Sequence, residues 1–276
     1  MAFLTEPEPP RGVATEMLPG IRRLVANNPS VMTYLGTNTY IVEGPDGLIV
    51  LDPGPREAAH VAAIVEQAGA PIALILLSHT HSDHLGAVPE LRQRTGAPVA
   101  AWRSSPVENF APDVPLDDGQ TIAGMTALHT PGHAPDHLCF GLERDGRKIL
   151  FSADHVMSWS SSIVNPPEGD MADYFSSLRR VLDRDDDVYL PGHGPMLPKP
   201  QALAADLLAH RQVRERAIRD ALDGRPPTAV RALTDELYSQ THPMLKLAAE
   251  RNVLAHLIKL EREGVVARDG ELWRQR

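Results

Sequence analysis

The stretch Ser78-His79-Thr80-His81-Ser82-Asp83-His84 follows directly on the apolar run 72–77, Ile-Ala-Leu-Ile-Leu-Leu. A continuous apolar run of that length reads as a strand buried on both faces. Beyond it the chain places three imidazoles and one carboxylate within six residues, where the strand opens into a loop. Alternate residues of an extended chain share a face, so His79 and His81 can reach one ion together. Asp83 and His84 fall where the chain turns and are free to face a second ion. Imidazole nitrogen with carboxylate oxygen suits zinc, and equally iron or manganese. The segment therefore reads as a metal site built on the end of a core strand.

The rest of the composition is that of an ordinary water-soluble protein: 276 residues, 42% hydrophobic and 23% charged. That length can bury one large core or two smaller ones. Cys139 is the single cysteine, which excludes an internal disulfide framework and fits a reducing compartment. The start, Met1 to Pro10, has no basic residue followed by an apolar core and does not read as a secretory signal. No stretch approaches the ~20 apolar residues that span a bilayer, so a cytoplasmic location is expected. The net charge of −9 divides into −11 over residues 1–200 and +2 over 201–276. Two bound dications would offset part of the negative charge at the site itself. No broad basic footprint for nucleic acid is present.

Outward from the first motif, strand patterns fall at 21–26, 38–43, 48–52, 99–102, 121–123, 126–129, 138–142, 148–152 and 188–190. Gly44-Pro45-Asp46-Gly47 and Arg144-Asp145-Gly146-Arg147 are turn signals between paired strands. Helical periodicity covers 56–68, 85–95 and 171–182. About a dozen strands with few helices is too β-rich for a doubly wound sheet. An α/β sandwich in four layers, helices outside two stacked sheets, satisfies the pattern. From Gln201 the pattern changes to two or three helices and a small hairpin around Asp269-Gly270, a winged-helix arrangement. The expected division is a metal-binding domain over 1–200, for which the resemblance given below implies a metal-dependent hydrolase, and a winged-helix-like domain over 201–276.

Four further positions repeat one theme, a metal-binding side chain at a strand end, marked by Gly or Pro at three of the four. They are Asp52 in Leu51-Asp52-Pro53-Gly54, His133 in Thr130-Pro131-Gly132-His133, Asp154 in Phe151-Ser152-Ala153-Asp154, and His193 in Pro191-Gly192-His193-Gly194. Binding residues concentrate on loops held by a rigid scaffold, and glycine lets short side chains converge.

With these motifs in hand, residues 21–195 resemble the metallo-β-lactamase fold superfamily. The finer pattern, including Gly36-Thr37-Asn38-Thr39-Tyr40 and the Asp136-His137 pair, resembles its β-lactamase-like protein 2 group, which has a C-terminal winged helix. The resemblance implies the four-layer αββα sandwich and two divalent ions, zinc by preference and iron or manganese as alternatives. One ion would take His79, His81 and His133. The other would take Asp83, His84 and His193, with Asp154 between the two and Asp52 supporting the histidines from behind. The departure is His155-Val156-Met157-Ser158-Trp159, where small residues are expected after the bridging aspartate.

Two cations sharing a site lower the pKa of a bridging water, so a metal-bridging hydroxide is the expected nucleophile and Asp83 the residue that holds it in line. His137 is the second candidate catalytic residue: a substrate-phosphate contact or proton donor, oriented by Asp136, against the alternative of a histidine that holds a strand start. His155 and His129 read as packing or structural residues. Trp159 and residues 160–162 are candidates for the pocket wall. The cations Arg211, Arg214, Arg216 and Arg219 read as a solvated helix face, with an RNA track as the alternative.

Three functions compete. The resemblance implies a phosphodiesterase, of which a single-strand endoribonuclease acting on single-stranded RNA is one form. The second is a hydrolase of a small-molecule ester, thioester, lactone or β-lactam, of the glyoxalase II kind. The third is a non-catalytic winged-helix sensor. Only 5% aromatic residues is poor material for base stacking. No membrane partner is expected, and the sequence leaves the oligomeric state open.

Overall fold

The computed structural model describes residues 3–276; Met1 and Ala2, within the segment read as lacking a secretory signal, lie outside the described residues. Strands β1 (Thr15–Leu18), β2 (Ile21–Val25), β3 (Asn38–Gly44) and β4 (Gly47–Leu51) form an antiparallel meander. Helix α1 (Ala58–Ala68) crosses over to β5 (Ile72–Leu76), which lies parallel to β4. After α2 (Ser82–Leu85) and α3 (Val88–Thr95), the parallel strands β6 (Val99–Trp102) and β7 (Val114–Leu116) complete a seven-stranded sheet. The second sheet repeats the plan. Strands β8 (Thr121–Ile122), β9 (Met125–His129), β10 (Leu138–Arg144) and β11 (Arg147–Ala153) meander, and helix α4 (Met171–Leu182) crosses over to β12 (Val188–Pro191), parallel to β11. The short β13 (Leu197–Pro198) closes its edge.

Side-chain alternation explains the layers. On β5, Leu74 and Leu76 enter the core between the sheets while Ile72 and Ile75 face α1 and α3. On β11, Ile149 and Phe151 join that same central core while Leu150 faces α4. Both faces of both sheets are covered, which is the four-layer αββα sandwich expected from the strand count.

The C-terminal part comprises α5 (Gln201–Leu222), β14 (Thr228–Ala229), α6 (Val230–Leu237), α7 (Lys246–Arg262), and the hairpin β15 (Val266–Asp269) and β16 (Leu272–Gln275). Trp273 anchors its core against Leu233, Val253 and Leu257, giving the winged helix. Helix α5 belongs to both cores. Leu203 and Leu207 pack with α4 against the second sheet, whereas Ile218 and Leu222 join Trp273. Packing is therefore continuous across residue 200, where the sequence pattern changes.

The structure departs from the sequence reading in three places. The helix expected over 85–95 is two helices, because Pro89 has no N–H to continue the turn from Leu85 and the chain restarts at Val88. Strands β1, β7, β13 and β14 are absent from the sequence pattern. All four are edge strands, and the Val-Pro-Leu of β7 is legible as a strand only at an edge, where a proline needs no ladder partner. Third, Arg211 lies in neither a solvated face nor an RNA track: it is 2% exposed. No helix among the described residues is long and apolar enough to cross a membrane.

Candidate metal centre

The expected ligands, and Asp52 as their expected support, all follow the carboxyl ends of strands. Asp52 follows β4, His79 and His81 follow β5, Asp83 and His84 start α2, His133 follows β9, Asp154 follows β11, and His193 follows β12. Two backbone positions beside the site are left-handed without being glycine, Asp52 at φ 52° and Ala153 at φ 42°. Such conformations persist only where the surroundings enforce them. Gly192 is required for a different reason: a Cβ there would lie 2.4 Å from Asp154 Oδ1.

Seven side chains converge as three overlapping groups of donor atoms, each group within 4.8 Å: His79, His81 and His133; His79, His84 and Asp154; Asp83, His84 and His193. His79 Nε2 and His133 Nε2 lie 2.9 and 3.0 Å from His81 Nδ1. Tetrahedral zinc with bonds of about 2.0–2.1 Å would hold such nitrogens about 3.3 Å apart, so a small expansion admits an ion. His193 Nε2 is 3.2 Å from Asp83 Oδ2 and 3.4 Å from Asp154 Oδ2, and His84 Nε2 is 3.6 Å from Asp154 Oδ1.

Each imidazole is fixed from behind so that its other nitrogen faces the cluster. His79 Nδ1–H donates to Ser78 Oγ at 2.9 Å, and His84 Nδ1–H to Asp52 Oδ2 at 2.9 Å. His133 Nδ1–H donates to the Ile163 carbonyl at 2.7 Å, and His193 Nδ1–H to that of Gly36 at 3.3 Å. His81 Nε2–H points at Glu168 Oε2, 3.4 Å away. Asp52 also accepts from the Ser78 N–H and hydroxyl, so it props the loop and His84 together. Outer partners of this kind set the tautomer a metal needs. The free nitrogen His84 Nε2 and the oxygen Asp154 Oδ1 are buried with no hydrogen-bond partner. Buried polar atoms left unpaired at one point are costly unless a cation meets them. The donor set fits two divalent ions.

Charge confirms the tension. Burial depresses His84, but Asp83, Asp52 and Asp154 outweigh it and raise its pKa well above the usual value. Burial likewise opposes, and Asp154 and Asp83 overcome it, at His193, pushed up to about 9. Burial and the neighbouring His81 hold His133 down to about 4, and burial holds His60 down to about 4. The sign of each effect on stability follows. A raised histidine stabilises the fold fully below 6.5 and loses that contribution as pH rises toward its folded value. A depressed one destabilises the fold as pH falls below 6.5, because only the unfolded chain takes the proton. The metal-stripped protein should therefore melt highest near pH 6.5 and lose melting temperature toward both 4 and 9. Saturating zinc should flatten the alkaline limb, because the ion replaces the protons on His84 and His193. Calorimetric scans across that range check this, and an alkaline limb unchanged by zinc would contradict it.

His137 does not reach the cavity. It is fully buried: Nδ1–H donates to Thr130 Oγ1 at 2.9 Å and Nε2 accepts the Asp154 N–H at 3.2 Å. The expectation of a substrate contact is corrected, and His137 is the histidine that holds a strand start. Asp136 does not orient it; Asp136 Oδ2 accepts from the Thr80 N–H at 3.1 Å and hydroxyl at 2.6 Å, clamping the first motif. His155 is buried against Tyr174, as packing requires. Cys139 is buried too, its thiol pushed up to about 12 by burial, and has no access to the cavity.

A cavity of about 600 Å³ lies over the cluster, between the sandwich and the winged helix. Its floor carries His81, Asp83, His133, Asp154 and His193. Its walls are largely apolar, with Val31, Met32, Trp159, Met244, Leu245 and Leu247, and carry Thr33, Ser160, Ser161 and Asn165 among them. Trp159 stacks on Tyr34 with centroids 5.0 Å apart, which fixes that wall. Arg251 is the one lysine or arginine in the lining. The contribution of residues 238–252 had no signal in the sequence beyond an apolar helix pattern, which reads as core.

Comparisons with known proteins identify the family and the fold. The family described as Metallo-beta-lactamase superfamily matches residues 32–193, and the Beta-lactamase associated winged helix domain matches 229–273. The Beta-lactamase-like protein 2 homolog of Drosophila melanogaster is 30% identical over 271 residues, 91% of this chain and 90% of the fly protein. A Passalora fulva protein named Atrochrysone carboxyl ACP thioesterase is 29% identical over 240 residues, 82% of this chain and 70% of its own. Among solved structures, a metallo-beta-lactamase family protein from Thermus thermophilus superposes with a TM-score of 0.77 at 25% identity, covering 95% of this chain and 100% of that one.

Proposed function

We propose, for a chain that belongs to the metallo-beta-lactamase superfamily of hydrolases, that it hydrolyses a small acyl substrate, a thioester or ester with an extended apolar portion. The observation that carries this reading is the cavity: acid and imidazole donors on the floor, largely apolar walls, and one guanidinium. A nucleic-acid groove would need a track of cations and aromatic platforms, whereas Asp83, Asp154 and Glu168 stand here against the single Arg251. Single-stranded RNA is therefore not the substrate favoured. The relative named as an ACP thioesterase supports a thioester in particular.

Two divalent ions, zinc by the donor set, would supply a water acidic enough to attack at neutral pH and a Lewis acid for the carbonyl oxygen. The chain's own residues do the rest. Burial opposes ionisation of Asp83, but His84 and His193 outweigh it and hold its carboxyl well below the usual range. It faces the cavity as a fixed acceptor that can orient an attacking water. Trp159, Met244 and Leu247 offer apolar surface for the apolar portion to cover. The buried Cys139 thiol suits a reducing, cytoplasmic setting.

The test is a series of acyl thioesters of increasing chain length beside bis-p-nitrophenyl phosphate and single-stranded RNA. Burying each added methylene is worth about 0.8 kcal/mol, so kcat/KM should rise about threefold to fourfold per carbon until the cavity is full. A flat chain-length profile, or faster cleavage of either phosphodiester, would replace this reading with the phosphodiesterase one.

A further inference from the structure

Arg211 is the one arginine of the cationic run on α5 that enters the core, and its partners are all on the way to the metal centre. It is 2% exposed. Nη1 donates to Asn252 Oδ1 at 3.0 Å, Nη2 donates to the Ser162 carbonyl, and the guanidinium carbon lies 5.4 Å from the Tyr174 ring centroid. No carboxylate pairs with it among the described residues, and its Nε has no partner. A buried cation without a counter-ion is expensive to keep, so its carbonyl and amide contacts are the reason for its position.

Those contacts end on two ligands. The Ser162 hydroxyl donates to the Asp154 carbonyl and lies 3.0 Å from that of His155. The next carbonyl, Ile163, takes the His133 Nδ1–H at 2.7 Å. The Val164 N–H is then held at 3.1 Å by Asn252 Oδ1, the same oxygen that meets Arg211. Three consecutive residues, 162–164, thus fix the backbone of Asp154 and the ring of His133, and two side chains of the C-terminal part fix those three residues. His133 belongs to one donor group and Asp154 to another.

We propose that Arg211 and Asn252 are positioning residues through which the C-terminal part completes the metal centre. In this arrangement the winged helix does more than wall the cavity: without it, residues 162–164 lose their anchors, and both ligands lose the groups that aim them. The inference rests on the two-metal reading of the site, and not on the identity of the substrate.

The experiment is zinc affinity by competition with a chromophoric chelator, with the visible spectrum of the cobalt-substituted protein, on the full chain and its variants. Arg211→Met should weaken zinc binding by about 10- to 100-fold and change the cobalt spectrum. Arg211→Lys should recover part of the loss, since an ammonium can still reach one carbonyl. Asn252→Ala removes the oxygen that Arg211 and the Val164 N–H share; a loss of about tenfold is expected, and it decides the matter if Arg211→Met does not fold. Leu207→Ala, on the same helix and equally buried, should lower the melting temperature and leave zinc affinity unchanged. If Arg211→Met or Asn252→Ala loses stability yet binds two ions with wild-type affinity and spectrum, the proposal is overturned. If the wild-type chain itself fails to bind two ions, the metal reading fails instead.

Discussion

Asp154→Asn should cut turnover by about 10³-fold and reduce bound metal from two ions per chain to one, as complete chelation of the wild-type protein should abolish turnover until zinc or manganese is restored. The reason lies in how the carboxylate is placed. Oδ2 stands 3.6 Å from His133 Nε2 and 3.4 Å from His193 Nε2, while Oδ1 stands 3.6 Å from His84 Nε2. One side chain therefore faces donors from both halves of the cluster. Burial opposes its charge, yet His193 and His84 outweigh burial and hold it ionised far below the usual carboxylate range. Asparagine keeps the shape and one oxygen but removes the charge and the second ligand atom. Of the two acidic donors, only Asp83 would then remain to balance two dications. Kinetics alongside elemental metal analysis check this. A variant with two ions and activity within tenfold of wild type would mean that Asp154 is not shared.

The candidate metal-binding residues were legible in the sequence because each is an imidazole or carboxylate directly after a strand pattern, crowded into one motif at 79–84 or, at 133 and 193, marked by Gly and Pro. The stacked sheets were legible because turn signals and apolar runs recur at strand spacing. Arg211 was not, although a signal existed. Leu203, Leu207, Ile218 and Leu222 are the buried stripe of α5, and Arg211 falls four residues after Leu207 and seven before Ile218, on that stripe. Judged by its cationic neighbours it reads as solvent-facing; judged by helical period it belongs to the core. Asn252 follows the same logic between Ala249 and His256, both buried on α7. His137 misleads in the opposite way. Its neighbour Asp136 suggests an acid–base pair, whereas the contact that defines it, Thr130 across the turn, joins residues seven apart. Contacts made by folding a loop back onto itself leave no periodicity to read.

Gly132→Ala should destabilise the protein by about 3 kcal/mol or more and displace His133 with it. Gly132 has φ 135°, a conformation that L side chains rarely adopt, and a Cβ there would fall 2.4 Å from Tyr174 Cα and 2.5 Å from Tyr174 N. Those are backbone atoms of α4, which cannot turn aside as a flexible side chain can. The helix is also pinned at this point: the Asp170 N–H donates to the Gly132 carbonyl at 2.9 Å, and the Asp170 carboxylate caps the first turn through the Ala172 and Asp173 N–H groups. To make room, either α4 must lift from the second sheet, which uncovers Tyr174 and Phe175, or the loop must retreat and carry His133 Nε2 away from His81 Nδ1. Against a typical total stability of about 5–15 kcal/mol, either response is large, and a melting-temperature loss of about 6–12 °C is expected. Gly69→Ala is the matched control, since it too has a positive φ, 67°, but meets nothing within 4 Å; strain alone should cost it about 1 kcal/mol. If the two variants melt alike and Gly132→Ala still binds two ions, the close approach of α4 to the His133 loop does not govern the site.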